Sequence, residues 1–139
     1  MLVVDSQVHV WGEDTPARPW RPGGHAHAQR ATPVSAAEVL GWMDAGGVDR
    51  AILVPPSWEG DRNDLALAAA RAHPDRFAVM GRIDPGAKDL AAQLARWRDA
   101  PGMLGVRLAL HTEELRRPFL EGRYEGFWGE AERLELPVM

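Results

Sequence analysis

The sequence predicts an α/β fold, a TIM-type (β/α)8 barrel of which these 139 residues supply about four βα units and the start of strand five. Apolar runs typical of buried strands alternate four times with segments that carry apolar residues at helical spacing. The centres of three runs, Ile52, Val79 and Val106, are 27 residues apart. No glycine-rich phosphate-binding motif follows the first strand, which disfavours a dinucleotide-binding fold. A complete barrel of this kind takes roughly 250 residues, so the chain corresponds to about half of one.

The first predicted strand ends in polar and aromatic side chains. It begins as the apolar run at Val3 and continues through Gln7, His9 and Trp11. These three residues alternate, so an extended strand places their side chains on one face. A strand that delivers side chains to a site has this pattern, although a core strand with a hydrogen-bonded histidine has it too.

Residues 12–34 form an irregular loop in this prediction, because prolines and glycines interrupt every regular pattern. Loops of this length inside a compact domain are usually functional or disordered. His25 and His27 have the spacing of a metal-binding pair. Because they follow Gly23 in a flexible segment, we interpret them as part of a solvated loop.

The remaining elements follow in regular order within a single domain that spans residues 1–139. Ser35 and Glu38 have the spacing of a capping box at the start of the first helix, and Gly47 ends that helix. The later predictions are a strand at 50–54, a helix at 65–72 capped by Asp61 or Asn63, a strand at 77–83, a helix through Leu90, Leu94 and Trp97, a strand at 103–110, a charged loop to Arg123, a helix through Phe127 and Leu134, and the opening of strand five at 136–139.

Composition limits the possible partners. The formal net charge is −4, which leaves no basic footprint for nucleic acid, and no segment has the apolar length of a membrane span. The chain has no cysteine, which excludes disulfides, thiolate metal ligands and cysteine nucleophiles, and fits a cytoplasmic location. These observations favour a small-molecule substrate as the partner.

In a barrel, function lies at the carboxyl ends of the strands. An arginine within an apolar strand is costly unless it is paired, so Arg107 either makes a salt bridge or clamps a substrate carboxylate or oxyanion. Asp84 is more simply explained as a residue that stabilises its own turn. The candidates taken in strand order are Gln7, His9 and Trp11, then Ser57 and Trp58, then Asp84 and as a second possibility Arg82, then Arg107 and His111.

The segment from Val4 to Trp11 resembles the first-strand Asp-x-His-x-His signature of the amidohydrolase superfamily. It is most similar to the amidohydrolase-2 branch, which includes sugar lactonases and pyrone-dicarboxylate lactonase-type hydrolases. Four shorter matches occur in the family's order, at 54–57, 74–77, 105–107 and 136–138. The resemblance implies a distorted barrel, of which this chain is the amino-terminal half. It also implies hydrolysis of a lactone or similar acyl bond, and in some members decarboxylation.

The resemblance also implies roles for individual residues. His9 matches the family's second histidine, which is a metal ligand or a group that polarises the substrate. Ser57 and Arg107 match positions that hold the polar groups of the substrate. Gln7 departs from the pattern because it stands where the first histidine would be, and a neutral amide is a weak zinc ligand. The implied cofactor is therefore a divalent metal, zinc or manganese, held by His9, or none at all as in metal-independent members.

The combined hypothesis is a hydrolase for a small anionic or hydroxylated substrate. Gln7, His9 and Arg107 are its catalytic residues, and its substrate-binding residues are Trp11, Ser57, Trp58 and His111. The family's later histidine and its strand-eight aspartate, the general base, have no counterpart here, so we expect a fragment that is inactive in isolation. The alternatives are an amidohydrolase-type decarboxylase and a non-enzymatic half-barrel that forms a homo-oligomer through its open edges and binds a small ligand.

Overall fold

The computed structural model describes all of residues 1–139. Four strands form one parallel sheet in the order of the sequence. They are β1 (Val4–Val8), β2 (Arg50–Leu53), β3 (Phe77–Gly81) and β4 (Met103–Val106). The helices are α1 (Ala36–Gly46), α2 (Asp64–Ala72), α3 (Leu90–Ala95), α4 (Glu113–Leu120) and α5 (Glu125–Arg133). Strands and helices alternate as the sequence predicts, and the result is a partial (β/α) barrel.

The predicted fifth strand begins where the sequence places it. Val138 forms a parallel bridge with Val106 at the free edge of β4. The backbone N–H of Val106 donates to the Pro137 carbonyl at 2.9 Å, and the N–H of Met139 donates to the Val106 carbonyl at 2.9 Å. The last residues of the chain therefore extend the sheet beyond β4.

The third and fourth strands end earlier than the predicted ranges 77–83 and 103–110. β3 ends at Gly81 and β4 ends at Val106, so Arg82 and Arg107 each stand one residue beyond a strand. The backbone of Arg82 hydrogen-bonds to the side chain of Asn63. The Arg82 N–H donates to Asn63 Oδ1 at 2.7 Å, and Asn63 Nδ2 donates to the Arg82 carbonyl at 2.9 Å. Asn63 precedes α2, but its side chain does not cap the helix as predicted. The amide of Asn63 is instead engaged by the backbone of Arg82.

One predicted loop is a helix. Residues Glu113–Leu120 form α4, and Thr112 Oγ1 accepts from the N–H of Leu115 to cap its first turn. No residue of α4 is buried, and Pro118 lies inside it, so its charged sequence reads as a loop. None of the helices is long and apolar enough to cross a membrane.

The core lies between one face of the sheet and the helices. Leu53, Val79 and Val106 are fully buried there, and Phe127 of α5 is equally enclosed. Residues that alternate with them along the strands, such as Ile52 and Ala78, remain partly accessible. The helices therefore cover only one face, as they do in a barrel wall.

The predicted capping box of α1 is present. Ser35 Oγ accepts from the N–H of Glu38 at 3.2 Å, and Glu38 Oε2 accepts from the N–H of Ser35 at 3.0 Å. That backbone hydrogen bond, followed by the one from Arg30, lowers the pKa of Glu38 to about 2. Because the folded pKa is depressed, the stabilisation is present above the ordinary pKa near 4.5 and is lost as the pH falls toward about 2.

We expect Ser35→Ala to lower the free energy of unfolding by about 1 kcal/mol, because the first turn of α1 loses an acceptor for its N–H groups. Urea denaturation followed by circular dichroism measures the change. Ser6→Ala is the matched control, since Ser6 is exposed on β1 and should change stability by less than about 0.5 kcal/mol. Equal effects for the two variants would contradict the capping role.

Candidate active site

A bulge in β1 directs two polar side chains to the carboxyl edge of the sheet. The register of β1 against β2 shifts between Asp5 and Val8. Such shifts are frequent beside active sites because they change the direction of a side chain. Val8 packs against the core, while Gln7 and His9 line a cavity of about 150 Å³.

This cavity gathers most of the residues that the sequence singled out. It lies at the carboxyl ends of all four strands, where a barrel fold carries its site. Six of the seven predicted site residues line it, together with Arg82. The six are Gln7, His9, Ser57, Trp58, Arg107 and His111.

Trp11 is the exception. It is buried in the core, stacks edge-to-face on Trp58 with ring centroids 5.5 Å apart, and lines a separate apolar groove beside Val34. The predicted alternation ends early because β1 stops at Val8 and the chain then turns, so that Trp11 pairs with Val34. Trp11 is therefore a packing residue beneath the site and does not contact the cavity.

His9 is held in one orientation by the backbone of the neighbouring strand segment. Its Nδ1 lies 2.6 Å from the Val54 carbonyl oxygen, which can only accept, so Nδ1 carries the proton. Its ring also meets Trp58 edge-to-face at 5.9 Å. In the neutral imidazole this leaves the lone pair on Nε2, which makes no hydrogen bond within the protein.

Arg107 and Arg82 both line the cavity, close enough for the charge of Arg107 to act on Arg82. The side chain of Arg107 makes no ion pair, so the salt bridge weighed for it in the sequence is absent. Arg82 is buried, and its Nε donates to the Gly60 carbonyl at 3.0 Å. Burial lowers the pKa of Arg82, and the charges of Arg21 and Arg107 act in the same direction while Asp61 opposes them.

A second cavity of about 240 Å³ adjoins the first and shares Arg82, Arg107 and Ala109 with it. It is also lined by Arg21, Asp61, Asp84 and Tyr124.

Asp84 makes the predicted turn, since its Oδ1 accepts from the N–H of Gly86 at 2.9 Å. The sequence did not identify Arg21, Asp61 or Tyr124, because their positions depend on how the loop and α5 pack. Arg82, the second possibility that the sequence offered on strand three, lines both cavities.

The loop of residues 12–34 is packed onto the segment that carries Trp58. The backbone N–H of Arg21 donates to the Trp58 carbonyl at 2.7 Å, and Arg18 pairs with the buried Glu59 at 3.1 Å. The loop contains one short helical turn, Gly24–Ala26. Residues 12–34 are therefore packed against the site by hydrogen bonds and an ion pair.

The two histidines of this loop point to different partners. His25 pairs with Asp14 at 2.8 Å and stacks on Trp20, whereas His27 lies 6.4 Å from His111 between ring centroids. Nowhere in the chain do three histidine, cysteine, aspartate or glutamate side chains come together. The cavity offers two imidazoles, His9 and His111, and the neutral amide of Gln7, but no carboxylate or thiolate to complete a ligand set. The residues of this chain do not by themselves fit a divalent metal.

The strand ends of this partial (β/α) barrel carry an oriented imidazole and a pair of arginines, at the edge where barrels of this class hold their sites. The family follows from the sequence comparison. The model of the amidohydrolase family, in its amidohydrolase-2 branch, matches residues 4–139, so the chain belongs to this family. The resemblance predicted from the first strand is confirmed.

Solved structures share the fold. A probable 2-pyrone-4,6-dicarboxylic acid hydrolase from Acinetobacter baumannii is 21% identical over 99% of this chain and 48% of its own, with a TM-score of 0.71. A 5-carboxyvanillate decarboxylase from Novosphingobium aromaticivorans, with bound manganese, is 19% identical over 99% and 49%, with a TM-score of 0.69. A putative 2-pyrone-4,6-dicarboxylic acid hydrolase from Pseudomonas putida is 25% identical over 77% and 36%, with a TM-score of 0.55.

The chain spans about half the length of the first two of these proteins. The predicted fold, a four-unit portion of a (β/α)8 barrel, is confirmed by this coverage and by the parallel sheet. No protein of curated function matches the chain in sequence.

Proposed function

We propose that this chain supplies the substrate-binding half of a hydrolase that opens a lactone, or a similar acyl bond, in a small substrate bearing a carboxylate. The observation that carries the proposal is the unpaired Arg107 guanidinium in the same cavity as the oriented imidazole of His9. Two structural neighbours, named as a probable and a putative 2-pyrone-4,6-dicarboxylic acid hydrolase, support this substrate class.

Arg107 anchors the substrate in this proposal. A guanidinium presents parallel N–H donors that match the two oxygens of a carboxylate, and charged hydrogen bonds of this kind are stronger than neutral ones. Because Arg107 has no carboxylate partner in the protein, binding an anion does not require an existing ion pair to break. The backbone N–H of Arg107 donates to the Gly81 carbonyl at 2.7 Å, which fixes the base of the side chain.

His9 faces the acyl group. Its Nδ1 proton is committed to Val54, so its orientation is set before substrate binds. When protonated, Nε2 donates to the scissile carbonyl and stabilises the charge that develops on its oxygen. When neutral, the same atom orients the attacking water, and Gln7 assists from beside it through its amide.

The reaction forms a bond between the water oxygen and the acyl carbon and breaks the acyl–oxygen bond of the ring. A general base takes the proton of the water, and the leaving oxygen takes a proton. The cavity of this chain contains two imidazoles, His9 and His111, and no carboxylate. In the family resemblance the base is an aspartate of strand eight, so we propose that it comes from the other half of the barrel.

Decarboxylation is the second candidate. The observation that favours it is the likeness in fold to a protein named as a 5-carboxyvanillate decarboxylase. Both reactions need a carboxylate held at the same edge of the barrel, so Arg107 serves either one. Their products separate them, because lactone opening releases a proton and no gas, whereas decarboxylation releases carbon dioxide.

The experiment uses protein expressed from the complete gene. It is incubated in parallel with carboxylated lactones, among them 2-pyrone-4,6-dicarboxylate, and with hydroxybenzoates that carry a carboxylate. Release of acid without carbon dioxide supports the hydrolase, and release of carbon dioxide from the hydroxybenzoates supports the decarboxylase. If neither class of compound is turned over, the proposed function is wrong.

We expect Arg107→Gln to raise KM for a carboxylated substrate about 10- to 100-fold, the range set by losing a charge-assisted hydrogen bond. Arg107→Lys should recover part of the loss, because it keeps the charge without the planar fork. Steady-state kinetics on wild type and both variants measure this. An uncharged lactone is the control, and an equal loss on that compound would show that Arg107 does not act through the carboxylate.

A further inference from the structure

Trp11 carries a buried hydrogen-bond donor that has no acceptor. The residue is 5% exposed, and its Nε1 makes no hydrogen bond within the protein. Most buried polar groups are paired, so an unpaired one needs an explanation. The only other buried side-chain donor of this kind is the Nε1 of Trp58, a residue that lines the site cavity. One unpaired donor therefore belongs to the candidate site, and the other belongs to a different part of the molecule.

Trp11 lines an apolar groove between the start of α1 and α2. The groove has a volume of about 420 Å³, and Trp11 lines neither cavity of the candidate site. One wall is a side of α2 on which Ala68, Ala69 and Ala72 follow one another, and these short side chains leave the space open. The volume lies within the roughly 300–1,000 Å³ typical of pockets for small molecules.

The groove differs from the candidate site in charge. No lysine, arginine, aspartate or glutamate lines it, whereas arginines line both site cavities. Its other polar side chains are Ser35, whose Oγ is engaged by Glu38 in the capping box, and the exposed His73. An anion would lose its hydration there without gaining an arginine or lysine partner. The walls of the groove therefore favour an uncharged molecule.

We propose that this groove is a second binding site, which takes a small uncharged molecule with an apolar body and one hydrogen-bond acceptor, such as an aryl ketone. The apolar body packs against the alanines of α2, and the acceptor receives the hydrogen bond of Trp11 Nε1. Because Nε1 has no hydrogen bond to give up, pairing it with a ligand acceptor is favourable. The site uses none of the residues that carry the proposed reaction, so either proposal can fail without the other.

Three molecules of similar shape test the site. Acetophenone has the acceptor, α-methylstyrene has a methylene group in place of the carbonyl oxygen, and benzoate is charged. They are titrated into isotope-labelled protein from the complete gene, and the indole N–H resonance of Trp11, assigned by its loss in Trp11→Phe, is followed by NMR. We expect acetophenone to move this resonance downfield, as a new hydrogen bond does, and benzoate not to compete with acetophenone.

Trp11→Phe keeps an aromatic ring and removes the donor. It should weaken acetophenone about three- to tenfold, the range set by one neutral hydrogen bond, and should not weaken α-methylstyrene, which has no acceptor to lose. Ala68→Leu fills the groove from an exposed position of α2 and should weaken acetophenone tenfold or more. Ala37→Leu is the matched control, because it makes the same change at an exposed alanine of α1 that does not line the groove, and it should leave binding unchanged.

The site is overturned if acetophenone leaves the Trp11 resonance unmoved up to its solubility limit, or if Ala37→Leu weakens binding as much as Ala68→Leu. An equal loss of acetophenone and α-methylstyrene in Trp11→Phe would overturn the role of the indole donor, and competition by benzoate would overturn the uncharged class. If Trp11→Phe does not fold, as judged by circular dichroism, Ala68→Leu decides, and unchanged binding in that variant overturns the proposal. Binding of acetophenone beside Trp11 in protein that turns over no lactone would support the groove while the proposed reaction fails.

Discussion

Replacing Gly105 with alanine is expected to lower the free energy of unfolding by roughly 3 kcal/mol or more, because the new methyl group has no space. A Cβ at this position would overlap the carbonyl oxygen of Pro137 and lie 3.0 Å from Met80 Cε. The methionine can move, but the oxygen belongs to the backbone that accepts from Val106 at 2.9 Å. The start of strand five would have to separate from β4.

Gly129→Ala is the control for this variant. Gly129 lies within α5, and a Cβ there meets nothing within 4 Å. Alanine is a better helix former than glycine, so this variant should gain about 0.5–1 kcal/mol. Urea denaturation of both variants gives changes of opposite sign. A Gly105→Ala protein within about 1 kcal/mol of wild type would show that strand five does not pack closely against Gly105.

The order and spacing of the strands were predictable because they follow from local patterns. Each apolar run is bounded by proline or glycine, and parallel strands joined by helices are typical of one class of fold. The capping box at Ser35 and Glu38 is equally local, since it involves residues three positions apart. The charged helix α4 was not predicted because it is short and rich in charge and has a proline, Pro118, inside it, which usually argues against a helix.

The candidate site was predictable as far as topology alone defines it. The carboxyl ends of parallel strands meet at one edge, so His9, Ser57 and Arg107 were expected to come together, and they do. Tyr124 and Arg21 were not predictable, because they reach the site through the packing of α5 and of the loop, which no short-range pattern encodes. Trp11 shows a limit of the strand pattern. Alternation predicts the face on which a side chain lies only within a strand, and β1 ends at Val8, before Trp11.

Asparagine at position 9 should separate the structural role of His9 from its chemical role. The Nδ2 group of Asn can replace imidazole Nδ1 as the donor to the Val54 carbonyl, but Asn has no atom at the position of Nε2. His9→Asn is therefore expected to fold with stability close to wild type and, under the proposed function, to lose about 10²- to 10⁴-fold in kcat on a lactone.

His9→Gln is the complementary variant, because its amide reaches the position of Nε2 and leaves the Val54 carbonyl without its donor. This second variant should lose stability by about 1–3 kcal/mol, the cost of an unsatisfied buried acceptor. Urea denaturation and steady-state kinetics on both variants distinguish the two roles. If His9→Asn kept full activity, Nε2 would have no part in the reaction. If it lost stability and activity together, His9 would be a structural histidine.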